Sequence, residues 1–295
     1  MEWKADRGLQ ARMVLTGLLL FALYAVFLGA LVAYFRGNVL PTVVVMGLFL
    51  GAQYFFSDKL ALRSMGARAV SEEEYPRLHA AVTRLSQQAD LPVPTVAVAE
   101  SATPNAFATG RSRENATVCV TTGLLNTLDE EELDGVLAHE LAHVKNRDVA
   151  VMTVAGFLST VAFVVVRWGW LFGGGRNRNQ APVWVAIAVS LVVWVLSYFL
   201  VRALSRYREF AADRGGAVIT GQPSALASAL LKISGRMDRI PEEDLRDQAE
   251  MNAFFIVPVR SGFVGRLFST HPSTEKRVER LREMEREMET VGGRL

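Results

Sequence analysis

The sequence predicts a mainly α chain with a small antiparallel β-sheet and four transmembrane helices. Three observations carry that prediction. The first is where the apolar residues lie. The chain has 295 residues, 51% of them hydrophobic, and its mean hydropathy is positive at +0.21. The excess gathers in blocks at 13–35, 37–57, 149–166 and 179–201, each free of Asp, Glu, Lys and Arg. A bilayer core needs about 20 apolar residues in helix, so each block is a candidate span. The second observation is a period of two. PTVAVAE, NAFATG and ATVCVTT, with GRSREN as a turn between the last two, read as three short strands with one buried face. The third is a helical period with start signals elsewhere in the charged segments.

The elements follow in chain order. The first block is too long for a secretory leader. No small-residue cleavage site follows it and a second apolar block begins at once, so it is a retained span. Ser71-Glu-Glu-Glu74 predicts a capping box opening a helix that runs to about Gln88. The three strands come next. Thr127-Leu-Asp-Glu130 predicts a second box, with acidic residues at the positive end of the following helix dipole. Beyond the fourth block, 205–220 and 222–236 read as helices, 250–270 as an apolar loop, and 273–290 as a closing helix whose Glu/Arg alternation is a solvated face.

The domain layout is therefore interleaved. Residues 1–57 hold a first pair of transmembrane helices, and 58–148 the first part of a catalytic domain. Residues 149–202 hold a second pair, and 203–295 complete that domain. Lys4, Arg7, Arg12, Lys59, Arg63, Arg68, Lys145, Arg147, Arg202, Arg206, Arg208 and Arg214 flank the spans on one side. Arg36, Arg176 and Arg178 lie on the other, with Arg167 close enough to snorkel there. The positive excess marks the cytoplasmic side. Both termini and both charged segments then face the cytoplasm of a multi-pass cell-membrane protein. The loops 36–40 and 173–181 face outward.

Net charge is +2, too near neutral to argue for nucleic acid. Cys119 is the only cysteine, which excludes a disulfide framework and a thiolate metal site. In VCVTT it reads as a small buried strand residue. His79 has no partner at ligand spacing and reads as structural.

One motif carries chemistry. His139-Glu-Leu-Ala-His143 puts two imidazoles one helical turn apart on one face, where both can reach a single zinc ion. Glu140 lies beside His139, within reach of a zinc-bound water. A chance match is improbable in a chain with 4 histidines. Two unpaired imidazoles would also be costly inside an apolar helix. A hydrolytic zinc needs a third protein ligand. After His143 comes VKNRDVA, so that ligand lies elsewhere. Glu209, in SRYREFAADRGGA, is the candidate. Taken alone it is a helix-surface carboxylate, but two membrane crossings after His143 return the chain to the same side. Asp213, four residues on, shares its face and could accept a hydrogen bond from a zinc-bound histidine. Taken alone, His271 in FSTHPST is a loop histidine and Arg277 a helix-face arginine. If the HExxH helix runs on unbroken, His143 stands about 10 Å from the next span.

HELAHVKNRD, SRYREFAAD and LFSTHPSTEKRVERL, with PNAFATG upstream, resemble the HtpX-type membrane-bound zinc metalloproteases, relatives of the CAAX prenyl proteases. The resemblance runs over nearly the whole chain. It implies an α+β zincin-like catalytic domain with one Zn2+ per chain on His139, His143 and Glu209. It implies Glu140 as catalytic base, with Asp213 supporting a ligand. His271 and Arg277 would stabilise the tetrahedral intermediate, and Asn105 with the strand it opens would hold substrate as an extended peptide. The implied substrates are proteins or peptides, chiefly membrane proteins in quality control, under stress. Two alternatives stand beside this reading. One is a zinc peptidase processing lipidated, CAAX-like peptides. The other is a membrane scaffold or transporter, against which stands the scarcity of ionisable residues within the spans. The sequence carries no signal for an oligomeric state.

Overall fold

The computed structural model of the chain describes residues 6–34, 40–172, 183–237, 256 and 271–292. Its elements in order are α1 (Arg7–Tyr34), α2 (Leu40–Ser64), β1 (Ala67–Ala69), α3 (Pro76–Gln88), β2 (Thr95–Ala99), β3 (Ala106–Gly110), β4 (Ala116–Thr121), α4 (Thr122–Leu125), α5 (Glu130–Asn146), α6 (Asp148–Phe172), α7 (Val183–Thr220), α8 (Pro223–Met237) and α9 (Thr274–Gly292). The expected outer loops 36–40 and 173–181 fall almost wholly outside the described residues. So does 250–270, apart from Ile256.

The chain divides into two units. One comprises Met1–Trp3, Ser57–Val149 and Arg208–Leu295; the other comprises Lys4–Phe56 and Ala150–Tyr207. Three helical stretches among the described residues are long and apolar enough to cross a membrane: Arg7–Val32, Asp148–Arg167 and Trp184–Thr220. The second expected span is helical too, within α2. In the apolar unit, Phe21, Val26 and Trp184 are 66–73% exposed. Side chains this apolar on an outer surface suit lipid, not water. Its inner seam is small, made by Phe27, Leu31, Ala162 and Val193. There the Tyr24 hydroxyl donates to the Ala155 carbonyl at 2.6 Å.

The other unit is built on a four-stranded sheet of order β1-β2-β4-β3. The expected antiparallel sheet is corrected here: β3–β4 and β1–β2 are antiparallel, but β2 and β4 are parallel. After β2 the chain reverses in β3 at the outer edge, and the hairpin brings β4 back into the gap. Alternation marks the strands but is silent on which neighbours pair. The main core joins Val96, Val98, Val118 and Val120 of the sheet to Leu78, Val82 and Leu85 of α3. From α5, α8 and α9 come Leu137, Leu141, Leu226, Leu230 and Leu281. Cys119 is fully buried, as expected, and burial pushes its thiol up to about 12.

Both expected capping boxes shift. Ser71 and Glu74 exchange the predicted reciprocal bonds, but they close a turn, and α3 starts at Pro76. A residue before proline is pushed out of the α region, and Tyr75 sits at φ −135°, ψ 63°. The second box is made by Asp129 and Glu132, because the Thr127 hydroxyl is already spent on the Gly123 carbonyl, at 2.5 Å. Two further differences bear on the site. The fourth apolar block and helix 205–220 form one continuous helix of 38 residues, α7. Conversely, the HExxH helix does not run on. α5 ends at Asn146, capped by Arg147 in a left-handed conformation at φ 56°, ψ 41°, and α6 starts afresh at Asp148.

Candidate metal centre

α5 is placed by a capped, acidic first turn and by an apolar stripe that packs into the core. Its helical period then carries His139 and Glu140 into the interior and leaves His143 half-buried beside them. Glu209 and Asp213 lie four residues apart on one face of α7, and Arg277 in the first turn of α9. His139 and Arg277 are each 1% exposed, and Glu140, Glu209 and Asp213 are buried with them.

The sequence-predicted ligands meet. One ligand atom from each of His139, His143 and Glu209 lies within 4.8 Å of the other two. The tautomers argue for a cation among them. His139 Nδ1 is 3.0 Å from Asp213 Oδ1, and His143 Nδ1 is 2.5 Å from Asp148 Oδ2. An ionised carboxylate only accepts, so each Nδ1 carries a proton, and a neutral ring held in this way turns its Nε2 lone pair inward. Those two Nε2 atoms are 3.2 Å apart, and the Glu209 carboxylate oxygens stand 3.6–3.7 Å from them. Two imidazole nitrogens and two carboxylate oxygens thus converge. Arg277 flanks them on one side, with Nη2 3.4 Å from His139 Nε2 and Nη1 3.5 Å from Glu209 Oε2, and a metal ion could take one lone pair from each of the three residues. Burial lowers the His139 pKa to about 4, which keeps its lone pair free at neutral pH. The residues therefore fit a metal with nitrogen and oxygen ligands.

Glu140 lies within electrostatic reach of His143, Glu209 and Arg277 and also bonds the sheet. Its Oε2 accepts from the Ala108 backbone N–H at 2.8 Å, which leaves Oε1 available. Burial pushes its carboxyl up to about 7. Ala108 is the middle residue of β3, the edge strand. The Thr121 N–H bonds the Asn105 carbonyl, so by alternation along the register the Ala108–Val118 pair is not a hydrogen-bonded one and the Ala108 N–H turns outward.

Arg277 closes the opposite side. Its Nε and Nη2 form a bidentate pair with Asp213 at 2.9 and 2.6 Å. Burial opposes its charge, yet Asp213 and Glu209 hold its pKa above the ordinary guanidinium value. Its Nη1 donates to the Ile256 carbonyl at 2.6 Å. His271 Nδ1 lies 3.1 Å from Glu209 Oε2. Asn105 is fully buried. Its backbone N–H donates to Thr121 Oγ1, and its Oδ1 accepts the Ile256 N–H at 3.0 Å. Both polar groups of the Ile256 backbone are thus held by residues that sequence reasoning assigned to substrate and intermediate. His79 stays apart, with Nε2 3.0 Å from the Val70 carbonyl.

Sequence reasoning missed two partners of the site. Asp148, which touches His143, lies outside the HExxH spacing, and the Ala108 N–H is a backbone group with no residue signature.

Fold and site together define a membrane metalloprotease: a buried HExxH helix, a third carboxylate from a distant helix, and apolar helices on either side in sequence. The description of peptidase family M48 matches residues 72–285, and the chain belongs to that family. It is 54% identical to "Protease HtpX homolog 2" of Methanosarcina mazei, over 97% of this chain and 99% of the relative. It is likewise 54% identical to "Protease HtpX homolog" of Moorella thermoacetica, over 97% of each. Among solved structures, Ste24p of S. mikatae superposes with a TM-score of 0.53. At 17% identity it covers 93% of this chain and 66% of that one, a likeness of fold. As a protease the chain acts on peptide bonds of peptides or proteins.

Proposed function

We propose that this chain is a zinc endopeptidase of the cell membrane, working at the cytoplasmic face on misfolded or damaged membrane proteins. The convergence of unprotonated ligand atoms from His139, His143 and Glu209 beside Glu140 carries the reading. A soft-borderline ion with two imidazoles and one carboxylate favours zinc, one per chain. Zinc held by these three would acidify its water and polarise the scissile carbonyl.

The chain's own residues do the rest. Glu140 takes a proton from the attacking water on Oε1 and returns it to the leaving amine. The Ala108 N–H keeps the carboxylate turned and partly neutralised. Asp213 holds His139 by its Nδ1 and fixes Arg277. Arg277 and His271 donate to the oxyanion as it forms; that Arg277 Nη1 already donates to a peptide carbonyl supports the role. The outer edge of β3, opened by Asn105, accepts an extended substrate strand by backbone pairing. Its backbone groups face outward at alternate residues, and those other than the Ala108 N–H, which Glu140 holds, support this reading.

The cytoplasmic placement is supported by the excess of Lys and Arg at one end of the apolar blocks. Substrate choice is supported by sequence proximity. Only Val144 to Arg147 separate His143 from the first residue of α6. A site so close to a span favours loops and tails of neighbouring membrane proteins over soluble folded ones. Metal analysis of the purified protein tests the ligand set: wild type should hold one zinc per chain and Glu209→Ala well under half of that. Unchanged stoichiometry in Glu209→Ala would reject Glu209 as a ligand.

A further inference from the structure

Asp148 bonds His143 Nδ1 at 2.5 Å as Asp213 bonds His139 Nδ1, so each histidine of the motif has its own carboxylate. Asp148 is 7% exposed and pairs through its other oxygen with Arg208, itself 5% exposed. Arg208 is the residue before Glu209. One buried ion pair therefore ties the support of His143 to the chain neighbour of Glu209, joining the first residue of α6 to α7. The backbone is bent to make this possible. On a continuous helix, residues five apart lie about 140° round from each other, and Asp148 could not reach His143. Arg147, exposed and not glycine, takes the left-handed conformation between them. A strained non-glycine residue is kept where the surroundings over-determine it, often at a functional site.

We infer that Asp148 is the positioning residue for His143, and that its pair with Arg208 is a latch holding His143 and Glu209 at metal-binding distance. Asp148 accepts the Nδ1 proton and so fixes the tautomer that offers Nε2. Arg208 fixes Asp148 and, through the adjacent backbone, Glu209. A carboxylate of this kind is worth about 10–100-fold in metal affinity. The inference rests on the assignment of His143 and Glu209 as ligands.

The test uses the full chain in detergent, stripped of metal and reloaded. Zinc affinity is read by competition with a chromophoric chelator, and the ligand field by the visible spectrum of the cobalt-loaded protein. Asp148→Ala and Arg208→Ala should each raise the zinc Kd about 10–100-fold and alter the cobalt bands. Arg208→Lys should recover part of the loss. Because a lone buried charge can prevent folding, the double variant Asp148→Asn/Arg208→Gln removes both charges together. It should fold, with a metal-free Tm near wild type, and still bind zinc at least about tenfold more weakly. A folded double variant with wild-type Kd and cobalt spectrum overturns the latch. Glu209→Ala in parallel separates the two levels. If it loses zinc while the latch variants do not, the latch alone fails; if neither loses zinc, the ligand assignment fails with it.

Discussion

Gly216 of α7 lies directly against the backbone of His139: a Cβ built on Gly216 would stand 2.9 Å from His139 N and 3.1 Å from its Cα. Real Cβ atoms do not sit that close to backbone. This contact sets how near the helix carrying Glu209 approaches the helix carrying the histidines. Gly215 makes a similar approach to the Ala142 Cβ, at 2.6 Å.

Gly216→Ala should therefore push α7 away from α5, at a cost of about 1–3 kcal/mol in overpacking, while separating Glu209 from His139 and His143. The variant should show a lower Tm and a zinc content well below one per chain. Gly17→Ala, in α1 where a Cβ meets nothing within 4 Å, should leave zinc content unchanged and should not lower Tm. Full zinc occupancy in Gly216→Ala would show that the close approach is not what brings the ligands together.

Glu140 gives a pH signature in the metal-free protein. Its folded pKa, pushed up by burial to about 7, lies above the ordinary 4.5. The fold therefore holds this proton more tightly than the unfolded chain does. That contribution is complete below pH 4.5 and is lost as pH rises through about 7. Measured against Glu140→Gln, which cannot ionise, the metal-free wild type should lose Tm between pH 5 and pH 8, and the variant should lose less. Parallel curves would mean that Glu140 is not the titrating group.

Arg147 should tolerate glycine better than itself. Its left-handed conformation at φ 56° penalises any residue with a Cβ. The gain exceeds the extra entropy glycine adds to the unfolded chain. Arg147→Gly should stabilise the fold by about 0.5–1 kcal/mol, a rise of about 1–4 °C in Tm. Arg147→Val, β-branched, should lower Tm. A glycine variant less stable than wild type would mean that the Arg147 side chain contributes a contact outweighing the strain.

Much of this architecture was legible in the sequence because its signals are local. Charge-free blocks mark the apolar helices, alternation marks β2, β3 and β4, and HExxH at helical spacing places two ligands. Glu209 and Asp213 were legible through parity, since an even number of expected crossings returns α7 to the side of α5. His271 and Arg277 were legible only by resemblance, as a loop histidine and a helix arginine carry no spacing signal. What escaped depends on pairing or on backbone bends. The parallel β2–β4 pair follows from where the β3–β4 hairpin folds back. Proline 76 delays α3 past its capping box. Asp148 escaped because helical periodicity puts residue 148 on the wrong face for His143, and only the bend at Arg147 brings it round.

Glu140 is proposed as the base beside a zinc held by His139, His143 and Glu209. The most direct measurement is cleavage of unfolded casein by the detergent-purified chain and by Glu140→Gln, with zinc content determined on the same samples. The variant should hold as much zinc as wild type and cleave at least about 100-fold more slowly, in keeping with the contribution of a general base. A zinc-replete Glu140→Gln that cleaves casein at the wild-type rate would contradict it.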